Sequence, residues 1–289
     1  MPEGDTIFLT ARTLHRALAG RTVTRFESVY PQLTRVDAQT PLAGQTIQRV
    51  EARGKHVLMW IGGAHILRTH MRMHGSWHLY RPGERWQRPR HEMRILIETE
   101  SIHAIGFGIP DAELVTPEQL ERTSVLRELG PDLLSDDFDA TEAVRRLCAR
   151  SDVSIADALL DQSAIAGIGN VYKSEVLFTG RVHPFTQVRA LQPERVADLV
   201  AIAATMLRQN VAERTTDPFR GRRTTGRFDP AARLWVYGRG GKPCRRCGTP
   251  ISRSARGPLA RSTYWCERCQ PAEAGGPQGP GLRPQDPED

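Results

Sequence analysis

The chain has 289 residues, 40 Lys and Arg against 33 Asp and Glu, a net charge of +7 and a pI near 9.5. This length favours two domains over one, and the basic balance favours an anionic partner. No stretch is long and apolar enough to span a bilayer, the arginine-rich stretches sit among Gly, Pro and Thr rather than on an amphipathic helix, and no apolar leader opens the chain, so a reducing, cytoplasmic setting is expected.

The chain opens Met1-Pro2-Glu3-Gly4-Asp5. By itself this is an ordinary start. Loss of Met1 would nevertheless leave Pro2 as a secondary amine. Its pKa, about 8 for an α-amino group, keeps a useful neutral fraction near pH 7 for attack on an aldehyde-like carbon. Glu3 beside it is a candidate acid or base. Ile7, Ala11, Leu14 and Leu18 recur at helical spacing, and Gly20 is placed to end that helix.

The segments TIQRVEARGKHVLMWI, AHILRTHMRMHGSWHLY, EMRILIETE and IHAIGF alternate and are rich in β-branched residues, which predicts strands. Lys55 falls in the second half of the first segment, and Arg72, Met73 and His74 fall at a strand end. His70, His74 and His78 would need a helix to face one metal, and the local pattern is strand and turn. From Leu120 the character changes to a short helix and an ordered linker, then to several helices over residues 141–213, of which PERVADLVAIAATMLRQNVAE is the longest. In LLDQSAIAGIGNVYKSEVLF, Gly167-x-Gly169-Asn170 makes a glycine-rich turn between apolar helices. Backbone N–H groups at such a turn, with the Asn170 amide, suit a phosphate. No Gly-Lys-Ser/Thr follows, so it is not a nucleotide-binding P-loop. Arg220, Arg222, Arg223, Arg227 and Arg233 then come with only Asp229 to balance them.

Near the C-terminus, Cys244-x-x-Cys247 and Cys266-x-x-Cys269 are separated by eighteen residues. Four thiolates at this spacing close tetrahedrally on one Zn²⁺. Disulfides are disfavoured by the expected reducing setting, in which Cys148 stays alone in a helix-like run. Four sulfur ligands leave no position for water, so the zinc is expected to be structural and the chemistry to lie elsewhere. Lys242, Arg245, Arg246, Arg253, Arg256, Arg261 and Arg268 surround it. Residues 271–289 are rich in Pro, Gly and acid, and disorder is expected there.

Pro2-Glu3, the RGKHVLMW strand with Lys55, the glycine-turn segment and the zinc element together resemble the Fpg/Nei DNA glycosylases, in the same order and over residues 2 to about 270. The resemblance implies an α+β fold in two domains: an N-terminal β-sandwich with flanking helices (1–123), a linker (124–140), a helix–two-turns–helix domain (141–233), a four-cysteine zinc-finger hairpin (234–270) and the tail. It implies that Pro2 attacks C1′ of a damaged nucleotide and forms a Schiff base, and that Glu3 manages protons. Lys55 and Arg261 would grip phosphates and assist elimination, with Asn170, Gly167, Gly169 and Arg127 as DNA contacts. Arg72, Met73 and His74 would fill the space left by the extruded base. The implied activity is excision of an oxidised base followed by β,δ-elimination, on damaged DNA, by a monomer. The Asp-Pro-Arg-Arg-Phe-Gly loop of Fpg enzymes is missing; SIHAIGFGIPDAELV stands in its place, with Phe107 expected in a strand. This departure and the Pro2-Glu3-Gly4-Asp5 opening resemble the Nei (endonuclease VIII) branch, which implies oxidised pyrimidines. An Fpg-like purine enzyme, a non-catalytic damage-binding protein and a zinc-ribbon RNA-binding protein are the alternatives.

Overall fold

The computed structural model describes residues 2–216, 221–225, 229, 232–256 and 261–272. Met1, Arg220, Arg227 and the expected disorder beyond residue 272 lie outside these. The buried stripe Ile7, Ala11, Leu14 and Leu18 forms helix α1 (Gly4–Leu18). The chain then leaves it through Gly20 at φ 78°, a conformation glycine adopts without steric cost. There follow β1 (Val23–Ser28), α2 (Pro31–Gln39), β2 (Ile47–Arg53), β3 (His56–Ile61), β4 (His65–His70), β5 (Ser76–Tyr80), β6 (Met93–Thr99), β7 (His103–Phe107) and β8 (Asp111–Val115). They form two antiparallel sheets, ordered β1-β6-β7-β5 and β2-β3-β4-β8. Val23, Ile95 and Ile97 of one meet Val50, Met59 and Leu67 of the other, with α1 closing the same core. The sandwich is as expected; Phe107 is fully buried, but against Tyr80, Met93 and Trp86 rather than in the core between the sheets.

Three elements were not foreseen in the sequence. Helix α2 buries only Leu33, and β8 buries only Ala112 and Leu114, so neither carries much periodic signal. Strand β1 has a bulge between Val23 and Arg25 that breaks its alternation. Lys55 is displaced from its expected strand: Arg53 pairs with His56, and Gly54 (φ 58°) and Lys55 make the two-residue turn between β2 and β3. The lysine therefore stands at a hairpin tip.

The helical part comprises α3 (Pro117–Arg122), α4 (Ser124–Arg127), α5 (Ala140–Cys148), α6 (Ile155–Ala158), α7 (Asn170–Thr179) and α8 (Pro193–Thr216). Its core joins Leu147, Ile155, Tyr172, Val176, Leu199 and Leu207. Helix α7 is buried on every side from Asn170 to Phe178, which is why its sequence shows little amphipathic contrast. The first of the two expected apolar helices is cut to four residues. Asp161 folds back on Ser163, whose backbone N–H and hydroxyl both reach its Oδ1 at 2.9 and 2.6 Å, and such local bonds compete with helix.

Strands β9 (Ser252–Arg256) and β10 (Arg261–Trp265) form the zinc-element hairpin. It is held to the helices by Glu175, fully buried on α7. The Glu175 carboxylate accepts the backbone N–H groups of Trp235, Val236 and Tyr237 at 2.7, 2.9 and 2.8 Å, and also meets the Thr224 hydroxyl. Burial pushes its carboxyl above the usual range, against the pull of these bonds. Removing the carboxylate would strand three buried donors. Glu175→Ala is expected to cost about 3 kcal/mol or more and to lower Tm by on the order of 5–10 °C, with Glu175→Gln milder. Thermal unfolding followed by circular dichroism checks this; an unchanged Tm would show that the clamp contributes nothing.

Candidate active site and zinc centre

Glu3, the residue before α1, reaches across to the first turn of α7. Its carboxylate accepts the N–H groups of Val171 (2.8 Å), Tyr172 (3.1 Å) and Gly169 (3.2 Å). An anion at a helix N-terminus is favoured by the unpaired amides and the helix dipole. Gly169 has to be glycine: a Cβ there would lie 2.4 Å from Glu3 Cδ. Gly167 adopts φ 103°, and its carbonyl accepts the Gly4 N–H at 2.9 Å. The amides that the glycine turn was expected to offer to phosphate are thus occupied by the protein's own carboxylate. Asn170 is the residue of the turn whose N–H and side chain Glu3 does not take.

The next residue in α1's first turn, Asp5, is fully buried. Its carboxylate takes a two-pronged bond from Arg222, with Nε at 2.9 Å, and Arg214 stands 3.3 Å away. Burial alone would raise the Asp5 carboxyl; the Arg222 and Arg214 charges and the Arg222 bonds overcome this and hold it low. The start of the chain is therefore fixed by two nearby carboxylates, one on amides and one on guanidiniums. Pro2, half-buried, precedes them.

Lys55 points inward from its hairpin tip, and its ammonium donates to the Ile168 carbonyl. Gly54 is anchored by Asp132 Oδ2 at 2.7 Å. Burial is the largest influence on Lys55; with Arg261 and Arg222 nearby it outweighs attraction to Glu3 and lowers the amine to about 8. A second lysine, Lys173, escaped sequence reading. It is buried on α7 and bonds Asn170 Oδ1 (2.8 Å), Thr263 Oγ1 (2.7 Å) and the Ser262 carbonyl (3.4 Å). It joins the glycine turn to β10, where Arg261 is exposed at the strand's start. Burial, with Arg261 also acting, brings Lys173 to about 8 as well. Only its position three residues after Asn170 could have flagged it. Glu3, Lys55, Asn170, Gly167, Gly169 and Arg261 thus converge. Arg127 does not join them: it is exposed on α4 and pairs with neighbouring Glu128.

The turn between β4 and β5 carries Arg72, Met73 and His74 outward. Met73 is 57% exposed, the most of the large apolar side chains among the described residues. Arg72 sits at φ 47°, a conformation costly for a non-glycine residue. It is held there by its N–H on His70 Nδ1 (3.0 Å) and its Nε on Asp111 Oδ2 (2.6 Å). Burial and then Arg72 bring His70 down to about 4, so its Nδ1 is free to accept at neutral pH. His70, His74 and His78 make no metal cluster among the described residues.

The four cysteine sulfurs lie within 4.8 Å of one another, with Cys247 and Cys266 at 3.4 Å and Cys244 and Cys269 at 4.0 Å. Tetrahedral Zn–S bonds of about 2.3 Å place sulfurs about 3.8 Å apart, so the four fit one structural zinc. Each pair closes on a tight turn, with Gly248 N–H to the Cys244 carbonyl and Gln270 N–H to the Cys266 carbonyl, both 2.9 Å.

Three family models match in chain order. They are described as the formamidopyrimidine-DNA glycosylase N-terminal domain (residues 1–108), the formamidopyrimidine-DNA glycosylase H2TH domain (129–219) and a zinc finger found in FPG and IleRS (241–272). The chain is 40% identical to the probable endonuclease 8 2 of Streptomyces coelicolor, over 99% of its own length and all of that protein. It is also 40% identical to a protein of Mycolicibacterium smegmatis named DNA-(apurinic or apyrimidinic site) lyase Nei2, over 94% of this chain and all of the other. Among solved structures, the Lactococcus lactis Fpg in complex with abasic-site DNA matches with a TM-score of 0.78 and 25% identity, over 94% of this chain and all of the other.

Two outcomes follow from this geometry. Cys244→Ser should lose zinc, because structural zinc supplies much of a small element's folding energy; metal content by mass spectrometry should fall from one ion per chain, and DNA affinity with it. Because Lys55 stands at about 8, phosphate binding above that pH requires proton uptake. Affinity for an abasic duplex should fall as pH rises from 8 to 9.5, by up to about tenfold per unit. Lys55→Arg should flatten the profile, and an identical profile in that variant would remove Lys55 from the contact.

Proposed function

The chain belongs to the Fpg/Nei family of DNA glycosylases, and on that footing we propose that it is a bifunctional DNA glycosylase and AP lyase of base excision repair. The observation that carries the reading is the meeting of the Pro2-Glu3 start, Lys55, the α7 N-terminus and Arg261 in one cluster. The Pro2 amine, freed by loss of Met1, attacks C1′ of the damaged nucleotide. The C1′–N bond breaks and the base leaves with a proton; the C1′–O4′ bond then breaks, O4′ takes the proton lost by the proline nitrogen, and an iminium remains. Glu3 lies next in the chain, anchored by three amides, with lone pairs of Oε1 left over after the Val171 bond. It opposes the new positive charge and relays a proton to O4′ of the opening sugar. The iminium acidifies the C2′ proton; its removal expels the 3′ phosphate, and a further elimination expels the 5′ phosphate. Lys55, Asn170 and Arg261 hold those phosphates, with Lys173 keeping Asn170 and β10 in register.

Arg72, Met73 and His74 are assigned to the space vacated by the extruded base. The connection Gly108–Pro110 between β7 and β8 is short and carries no arginine. This supports the Nei-like reading, with oxidised pyrimidines as the favoured lesions. Action as a monomer is part of the same reading.

Borohydride reduction in the presence of an abasic duplex should trap a protein–DNA adduct. Pro2→Gly should reduce the adduct at least tenfold without weakening duplex affinity by a comparable factor. No adduct from a preparation shown by intact mass to lack Met1 would overturn the mechanism and leave a damage-binding protein.

A further inference from the structure

The segment between β5 and β6 is not accounted for by this chemistry. Residues 81–92, RPGERWQRPRHE, carry Arg81, Arg85, Arg88 and Arg90 around Trp86. The loop is ordered by a small core of its own. The Trp86 ring packs edge-on to Phe107 at 5.6 Å and near Tyr80 at 6.5 Å, and the Gln87 N–H bonds the Tyr80 hydroxyl at 2.9 Å. Of its two acids, Glu92 is paired with Arg88, and Glu84 closes a turn on the Arg81 backbone N–H at 2.9 Å. Arg81, Arg85 and Arg90 are exposed, and among the described residues no carboxylate lies within ion-pair distance of any of them. Arg90 rests over the Trp86 ring at 5.5 Å. A rigid platform with three unneutralised guanidiniums attracts a polyanion.

Its position selects which polyanion. Arg88 Nη1 donates to the His74 carbonyl (3.1 Å) and to Ser76 Oγ (3.0 Å), so the loop is bolted to the turn bearing Arg72, Met73 and His74. On the opposite flank of that turn, His70 meets His56 at 4.8 Å between ring centroids, and His56 adjoins Lys55. The wedge turn thus stands between the phosphate-gripping cluster and the arginine loop, and β5 is the edge strand of its sheet. If one flank holds the lesion strand, the other faces the strand across the duplex.

We propose that the 81–92 loop is a second DNA-contact surface, in which Arg81, Arg85 and Arg90 bond backbone phosphates of the undamaged strand. It rests on the DNA-repair reading for the placing of the lesion strand, but its test needs binding only. The triple variant Arg81→Gln, Arg85→Gln, Arg90→Gln is compared with the parent on a duplex bearing a tetrahydrofuran abasic analogue, by fluorescence anisotropy over a salt series. Each lost phosphate contact lowers the log–log salt slope by about 0.9, so the triple variant should be shallower by about 2–3. On a duplex whose undamaged strand has methylphosphonate linkages, that difference should vanish; on one with methylphosphonates flanking the lesion, it should persist. The double variant Arg81→Gln, Arg85→Gln, which leaves Arg90 on Trp86, should lose somewhat under 2. Equal slopes on the all-phosphate duplex, or a difference that survives neutralising the undamaged strand, would overturn the proposal. A parent that binds but forms no borohydride adduct would instead overturn the catalytic reading and leave this result legible.

Discussion

The bond between the Glu3 carboxylate and the N-terminus of α7 is the constraint on which the site depends. It joins the third residue of the chain to amides more than 160 positions later. It fixes Pro2, which has no side-chain anchor of its own, and brings the β-sandwich and the helical part together where Lys55 and Asn170 project. The arrangement satisfies helix-end donors that would otherwise be unpaired when buried. It also dictates glycine at position 169, where any Cβ would collide with the carboxylate.

Around this bond the protein concentrates positive charge and limits its cost. Asp5 neutralises Arg222 and part of Arg214. Lys55 and Lys173 are held near 8 by burial and by neighbouring arginines, so each keeps its charge at neutral pH but gives it up more readily than a solvated lysine would. In the proposed complex, an incoming phosphate would stabilise the ammonium form and relieve repulsion from Arg261 at the same time. A cluster of fully solvated lysines would lack this responsiveness.

The zinc hairpin contributes geometry, not reactivity. The metal closes two turns, Glu175 clamps the approach to the hairpin against α7, and Lys173 fastens β10 beside Asn170. Arg261 is thereby presented from a strand whose base is fixed at three independent points. The wedge turn follows the same logic on the other domain: the strained φ of Arg72 is sustained by His70 and Asp111 beneath it.

Much of this was legible before the fold was known. The stripe of α1, the short apolar, β-branched runs of β3, β4, β6 and β7, buried on both faces over most of β3 and β4 rather than alternating, and the Cys-x-x-Cys pairs are local patterns, because they are set by residues a few positions apart. The glycines of the turn and the Pro2-Glu3 start were visible as motifs. Helix α2 and β8 were not, since each buries too few side chains to mark a period. The partners of the charged groups were wholly hidden. A buried Lys173 or Glu175 is written like any surface lysine or glutamate, and Arg222 stood only as one of a run of arginines until Asp5, 217 residues away, was found beside it. Sequence alone determined most of the elements, the metal and the candidate chemistry. Tertiary structure decided which charges are desolvated and paired, and which anion occupies the α7 N-terminus, because those depend on approach between residues that no local pattern connects.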